Sequence, residues 1–248
     1  MSGLKLQGFN HLAKSLSLSF YDVQWVASEC LVGYRNDIAQ RYGPERLSQI
    51  LTAVTEMIGA NILHLSTQKY EPQGTSVCLM VSEERPTDVI DVSGPGPAVA
   101  DRVLAHLDKS HIAAHTYPED SVVGGVHVCR LDVEVSSCGV VSPLKALNYL
   151  LHEISPSVLH ADYRVQGFTR DVTGKKYFMD HDIERLSSFV ATEIKSQYVY
   201  HDGQWPEERF FRLKMYRPVS EEYVFSGMDN MVQIQSRIQS ELQEIFDC

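Results

Sequence analysis

Residues 14–23, KSLSLSFYDV, set Leu16, Leu18 and Phe20 on one parity and Ser15, Ser17 and Ser19 on the other. A period of two is that of a strand with one face buried and the other toward water. Such a strand suits an antiparallel sheet covered on one face. The next stretches supply the cover and the neighbours. Residues 43–58 open with Gly43-Pro44 and carry Leu47, Ile50, Leu51, Val54 and Ile58, a helical stripe with proline in its first turn. Gly59 suits its stop. Residues 60–67 and 75–82 read as strands joined by a Pro/Gly turn at Tyr70–Gly74. Residues 83–98, with Gly94-Pro95-Gly96-Pro97, read as a loop, and 98–107 as a short helix. Ser110–His115, Val126–Val135 and Val158–Phe168 read as further strands, and Pro143–Ile154 as a second main helix.

The expected class is therefore α+β, a two-layer α/β sandwich with an antiparallel sheet covered by helices. Two regions are expected: a core at 1–170, and an extension at 171–248 packed on it. Within the extension, Asp180–Ser196 and Met228–Phe246 read as helical.

The bulk numbers exclude several classes of function. A formal net charge of -10 argues against a nucleic-acid partner, which would need a basic face. No apolar run approaches the ~20 residues that a membrane span needs. Met1–Phe9 lacks a secretory leader's basic-then-apolar order, so the cytoplasm is expected. The five cysteines, Cys30, Cys78, Cys129, Cys138 and Cys248, form no CxxC pair. Reduced thiols are the expectation, not a disulfide framework or a zinc site.

Two short stretches carry residues capable of chemistry. Asp108–Glu119 holds Ser110, His111, His115 and Glu119. On a strand, Ser110 and His115 would point to opposite faces, so a turn or a second chain must bring them together. Ser136-Ser137-Cys138-Gly139 places a cysteine just after a strand and before a glycine, on a loop leading to a helix. By composition alone both stretches favour structural roles: surface or hydrogen-bonded histidines, and a buried free thiol. His181 with Asp180, Asp182 and Glu184 reads as a solvated acidic helix start rather than a cation site.

Taken together, these motifs resemble the S-adenosylmethionine decarboxylases of bacteria, in the long proteobacterial form. The resemblance runs through Lys109-Ser110-His111-Ile112 and His115-Thr116-Tyr117-Pro118-Glu119. It continues in Val133–Gly139, Ser142–Leu150 and Asp162–Asp171, covers residues 4–185 and fades beyond. It implies that the chain cleaves itself between Lys109 and Ser110, giving a β chain (1–109) and an α chain (110–248). Ser110 would become a pyruvoyl group that forms a Schiff base with the substrate amine and takes up the electrons left when CO2 departs. His115 matches the proton acceptor of processing, and Cys138 the proton donor of catalysis. Glu119 matches the glutamate that holds a substrate ribose.

The same resemblance implies S-adenosylmethionine as substrate, spermidine biosynthesis as setting, and a homo-oligomer of αβ units (dimer or tetramer) with a site shared between copies. Mg2+ stimulation stays open, with no metal ligand assigned. Phe9 is a candidate for adenine stacking by position only. Gln7 and Asn10 stand where animal and plant enzymes have carboxylates. Two alternatives remain: a pyruvoyl-dependent arginine or ornithine decarboxylase, and an unprocessed non-catalytic homologue.

Overall fold

The computed structural model describes residues 12–70, 74–82, 110–119, 124–220, 223–225 and 231–248. Lys109, Phe9, Gln7, Asn10 and the segments read at 83–98 and 98–107 fall outside these residues.

The strand that opens the chain is longer than its ten-residue signature. It runs Ala13–Val26 (β1) and lies at the centre of the sheet, between β5 (Val126–Cys138) and β6 (Val158–Gln166). On one side of β5 follow β4 (His111–Pro118), β3 (Thr75–Ser82) and the edge strand β2 (Asn61–Lys69). A small hairpin, β7 (Thr169–Arg170) and β8 (Lys176–Tyr177), follows β6 in the chain. Beyond β6 in the sheet lie β10 (Phe210–Tyr216) and β9 (Val199–Trp205). Neighbours pair antiparallel throughout, except where β11 (Val224–Phe225) runs parallel to the end of β1.

Leu16, Leu18 and Phe20 face α2 (Pro44–Ile58) and α3 (Leu147–Ile154), all within one core. α2 buries Leu47, Ile50, Leu51, Val54 and Ile58, the stripe read from the sequence. Each such side chain is worth about 1.5–3 kcal/mol of apolar burial. Pro44 occupies the first turn, and Gly59 closes the helix at φ 82, a left-handed position that a Cβ disfavours. α1 (Leu31–Arg41) packs beside them through Tyr34 and Ile38.

Among the described residues, the other face of the sheet is covered at one end only. There α5 (Met231–Asp247) sets Ile234, Ile238 and Leu242 against Val23, Val126, Val128 and Val158. The rest of that face carries polar side chains: Ser17 bonds Glu134, and Arg212 makes a two-pronged pair with Asp162 at 2.6 Å.

Two local readings change, and two stretches that carried none take regular structure. Residues 31–41 are helical, although only two of them are buried and no apolar stripe announces them. Asp180–Ser196 is not one helix: it holds a 3-10 turn at Leu186–Phe189 and one helical turn (α4) at Thr192–Lys195. Residues 199–216 add two strands to the main sheet. β5 extends through Ser136 and Ser137, so Cys138 is its last residue rather than part of the following loop. Among the described residues, no helix is long and apolar enough to cross a membrane.

Candidate active site

Ser110 stands just ahead of β4. Its carbonyl accepts a hydrogen bond from Val81 N–H at 2.9 Å, which ties it to the end of β3. Its hydroxyl accepts from the backbone N–H of Cys138 at 3.2 Å. The antiparallel register of β4 and β5 makes this meeting possible, since His111 lies opposite Ser136. Cys138 belongs to the parity of Glu134 and Ser136, on the open face, and its thiol is exposed. The buried-thiol reading therefore does not hold for Cys138. It describes Cys129, which is fully buried, with its thiol pushed up to about 12 by burial.

His115 lies farther along β4, roughly 16 Å from Ser110 at ~3.3 Å per residue. Its ring Nδ1 is 2.7 Å from Ser76 Oγ across the β3–β4 pair. Ser76 donates to Tyr70 OH at 3.1 Å, and Tyr70 donates to Gln68 Oε1 at 3.3 Å. A chain with those directions assigns the Nδ1 proton to the bond toward Ser76, which leaves Nε2 with its lone pair. Such a nitrogen can accept a proton.

Glu119 follows β4 and is exposed, but its carboxylate is fixed: Oε2 accepts from Val128 N–H at 2.9 Å. Tyr70, Ser76, His115, Tyr117 and Glu119 line an open cleft of ≈ 580 Å³. Arg130 lies 4.3 Å from the centre of the Tyr117 ring.

The predicted residues thus form two groups. Ser110 and Cys138 meet at one end of β4, and His115 and Glu119 share a cleft at the other. One copy of the chain does not join them. Ser76, Tyr70 and Tyr117 were missed by sequence reasoning. Ser76 could have been found only from the β3–β4 register.

The stretch around His181 is not the solvated helix start expected: residues 180–185 are not helical, and Asp180 and His181 are half-buried. Asp180 pairs with Lys14, and His181 bonds both Asp180 and Tyr163. Among the described residues, no three His, Cys, Asp or Glu side chains gather as a metal ion would need.

Comparison with known proteins agrees with these motifs. The family model described as S-adenosylmethionine decarboxylase matches residues 34–167. The S-adenosylmethionine decarboxylase proenzyme of Pseudomonas paraeruginosa is 43% identical over 256 aligned positions, which take in 99% of this chain and 97% of the relative. That of Photorhabdus laumondii is 44% identical over 257 positions, at the same coverage. Among solved structures, the adenosylmethionine decarboxylase of Aquifex aeolicus aligns with 71% of this chain at a TM-score of 0.38 and 14% identity, too remote to argue from.

An α+β sheet of this kind, with relatives of this kind over its whole length, defines a carboxy-lyase. The chain belongs to the S-adenosylmethionine decarboxylase family.

Proposed function

We propose that the chain cuts itself between Lys109 and Ser110, carries a pyruvoyl group at position 110, and decarboxylates S-adenosylmethionine to S-adenosylmethioninamine and CO2 for spermidine synthesis. The observation that carries this reading is the contact of Ser110 with Cys138. A cut before Ser110 would leave the new terminus beside an exposed thiol, so the residues present fit the group.

The Ser110 hydroxyl attacks the Lys109 carbonyl and turns the amide into an ester. A base then takes the Ser110 α-proton, and the ester leaves as the carboxylate of the β chain. Hydrolysis of the remaining dehydroalanine releases ammonia. His115 has the lone pair for the proton removal, oriented by Ser76 and Tyr70. A pyruvoyl ketone supplies the electrophile that side chains lack and takes up the electrons released with CO2. Cys138 is the proton donor at the substrate carbon. Glu119, fixed by Val128 N–H, is placed to accept from the two hydroxyls of a ribose.

The two groups of residues also support a shared site. A two-fold axis sets the same patch of two copies face to face. Ser110 and Cys138 of one copy can then meet His115 and Glu119 of the other, twice per dimer. The polar face of the sheet, largely uncovered among the described residues, is where such a pairing would fall. The substrate is small, and no nucleic acid or membrane enters the reading. Five cysteines with no disulfide among them fit a cytoplasmic setting. Mg2+ stimulation is an effect to assay, with no site assigned.

Intact-mass measurement tests the processing. Two fragments, the larger without a free amino terminus, are expected. A single species of 28.0 kDa would overturn the pyruvoyl reading. CO2 release from S-adenosylmethionine, arginine and ornithine, assayed side by side, tests the substrate.

A further inference from the structure

Lys14 interrupts the parity of β1. It lies on the helix-covered side, in line with Leu16 and Leu18, and is 2% exposed. Its ammonium donates to Gly139 O at 2.9 Å, Val141 O at 3.3 Å and Asp180 Oδ2 at 2.5 Å. The two carbonyls belong to the turn that follows Cys138. Asp180 Oδ1 accepts from His181 Nδ1 at 2.7 Å, and His181 Nε2 lies 3.1 Å from the hydroxyl of the fully buried Tyr163.

An ammonium withdrawn from water is costly unless every donor is matched. Here all three are matched, and two of the acceptors are the carbonyls of a single turn. That turn is pinned elsewhere as well. Gly139, at φ 72, donates its N–H to Leu12 O at 2.9 Å, and Ser137 Oγ donates to Val141 O at 3.2 Å. The turn needs no charge to close, since hydroxyl and backbone donors already reach it. The buried cation falls at the one turn whose preceding residue presents an exposed thiol on the open face. The carboxylate that balances it, Asp180, comes from beyond β8.

We propose that Lys14 is a positioning residue for Cys138: clamped by Asp180 and His181, it fixes the turn that aims the thiol. The proposal rests on the reading of Cys138 as proton donor. Aim matters because the released electron pair can be protonated at two carbons. A proton on the substrate carbon, followed by addition of one water to the Schiff base, gives the amine product and restores the ketone. A proton on the former Ser110 α-carbon, followed by addition of one water, gives an aldehyde from the substrate and leaves alanine at the head of the α chain.

Lys14→Met and Asp180→Asn test this with two readouts. The first is the amount of alanine-headed α chain per CO2 released, read by intact mass. It should rise by about tenfold, since a displacement near 1 Å already costs a reaction up to ~100-fold. The second uses uncleaved chains in a Ser110→Ala background. The rate of Cys138 alkylation by iodoacetamide should differ between Lys14→Met and Lys14, because a loosened turn changes access to the thiol. Loss of packing alone would lower the melting temperature without changing the alanine ratio. If Lys14→Met does not fold, Asp180→Asn, which keeps the side chain's shape, decides. Unchanged ratio and unchanged alkylation in a folded variant overturn the proposal. A parent protein that never cleaves overturns the underlying reading instead.

Discussion

The backbone N–H of Cys138 donates to the Ser110 hydroxyl at 3.2 Å, although 28 positions separate the two residues. The contact follows from β4 and β5 pairing directly, with the connection between them at the far end of both strands. It makes two substitutions separable. Ser110→Ala removes the attacking oxygen and should abolish cleavage, giving one band on a denaturing gel after prolonged incubation. Cys138→Ala leaves that oxygen in place. It should still cleave, more slowly, while CO2 release falls by about 100-fold or more, the low end for loss of a positioned acid and upward. Normal turnover in Cys138→Ala would remove the thiol from the mechanism.

Ser76 provides a test on the other group. Its hydroxyl accepts from His115 Nδ1 and donates to Tyr70, which donates in turn to Gln68. Without it, the ring is free to rotate and to exchange tautomers. Ser76→Ala should slow self-cleavage by about tenfold, less than the ~100-fold at the low end for losing a base outright, because His115 itself is still present. A time course of freshly made chain measures this. Cleavage at the parent rate would mean that the hydroxyl does not orient His115.

How far the sequence announced all this differs from element to element. β1, α2 and the strands around Ser110 were legible because buried and exposed positions alternate at a fixed period. α1 was not, because Tyr34 and Ile38 are its only buried side chains. β9 was not, because it is an edge strand with mostly exposed residues, and edge strands need no apolar parity. Ser110, His115, Cys138 and Glu119 could be named from a motif, but not their grouping. Which of them meet is decided by the β4–β5 and β3–β4 registers, and those depend on contacts distant in sequence. Lys14 had no signal: a lysine on the apolar parity of a strand looks like an end of the pattern until Asp180 is seen beside it.

The separation of His115 from Ser110 within one chain predicts complementation. Ser110→Ala lacks the nucleophile, and His115→Ala lacks the base. In a mixed dimer the Ser110→Ala copy can lend its His115 to the other copy's Ser110. Co-expression should therefore cleave about half of the His115→Ala chains, by random pairing of two subunits. Mass spectrometry identifies which chain was cut. Failure to cleave in the mixture, when each parent-type dimer cleaves, would mean that base and serine act within one chain.

Glu119 is held by Val128 N–H, so its carboxylate should act on binding rather than on chemistry. Glu119→Gln keeps one acceptor for that N–H and loses the charge that faces the cleft. KM for S-adenosylmethionine should rise by about tenfold, one lost charge-assisted bond, with kcat changed less. Steady-state CO2 release measures both. An unchanged KM would remove Glu119 from the binding site.

His160 gives the fold itself a pH dependence. It sits on β6 between Ser19 and Lys214, its ring 5.5 Å from that of Tyr21, and its Nε2 is buried without a hydrogen-bond partner. Burial, then Lys214 and Arg212, hold its pKa down at about 4 from an ordinary 6.5, against the opposing pull of Asp162 and of a bond to the Ile245 backbone. The unfolded chain therefore takes up a proton between pH 6.5 and 4 that the folded chain refuses, so stability falls as pH drops through that window and levels below it. At 1.36 kcal/mol per unit, and reduced for the ring's partial contact with water, the loss is about 1–2 kcal/mol. Urea midpoints at pH 7, 5.5 and 4.5 should fall in the parent protein. In His160→Gln, which has no proton to take up at this position, they should fall by less, with a remaining decline from His127, whose pKa burial also holds down. An equal decline in both would mean that the acid sensitivity arises elsewhere than at this ring.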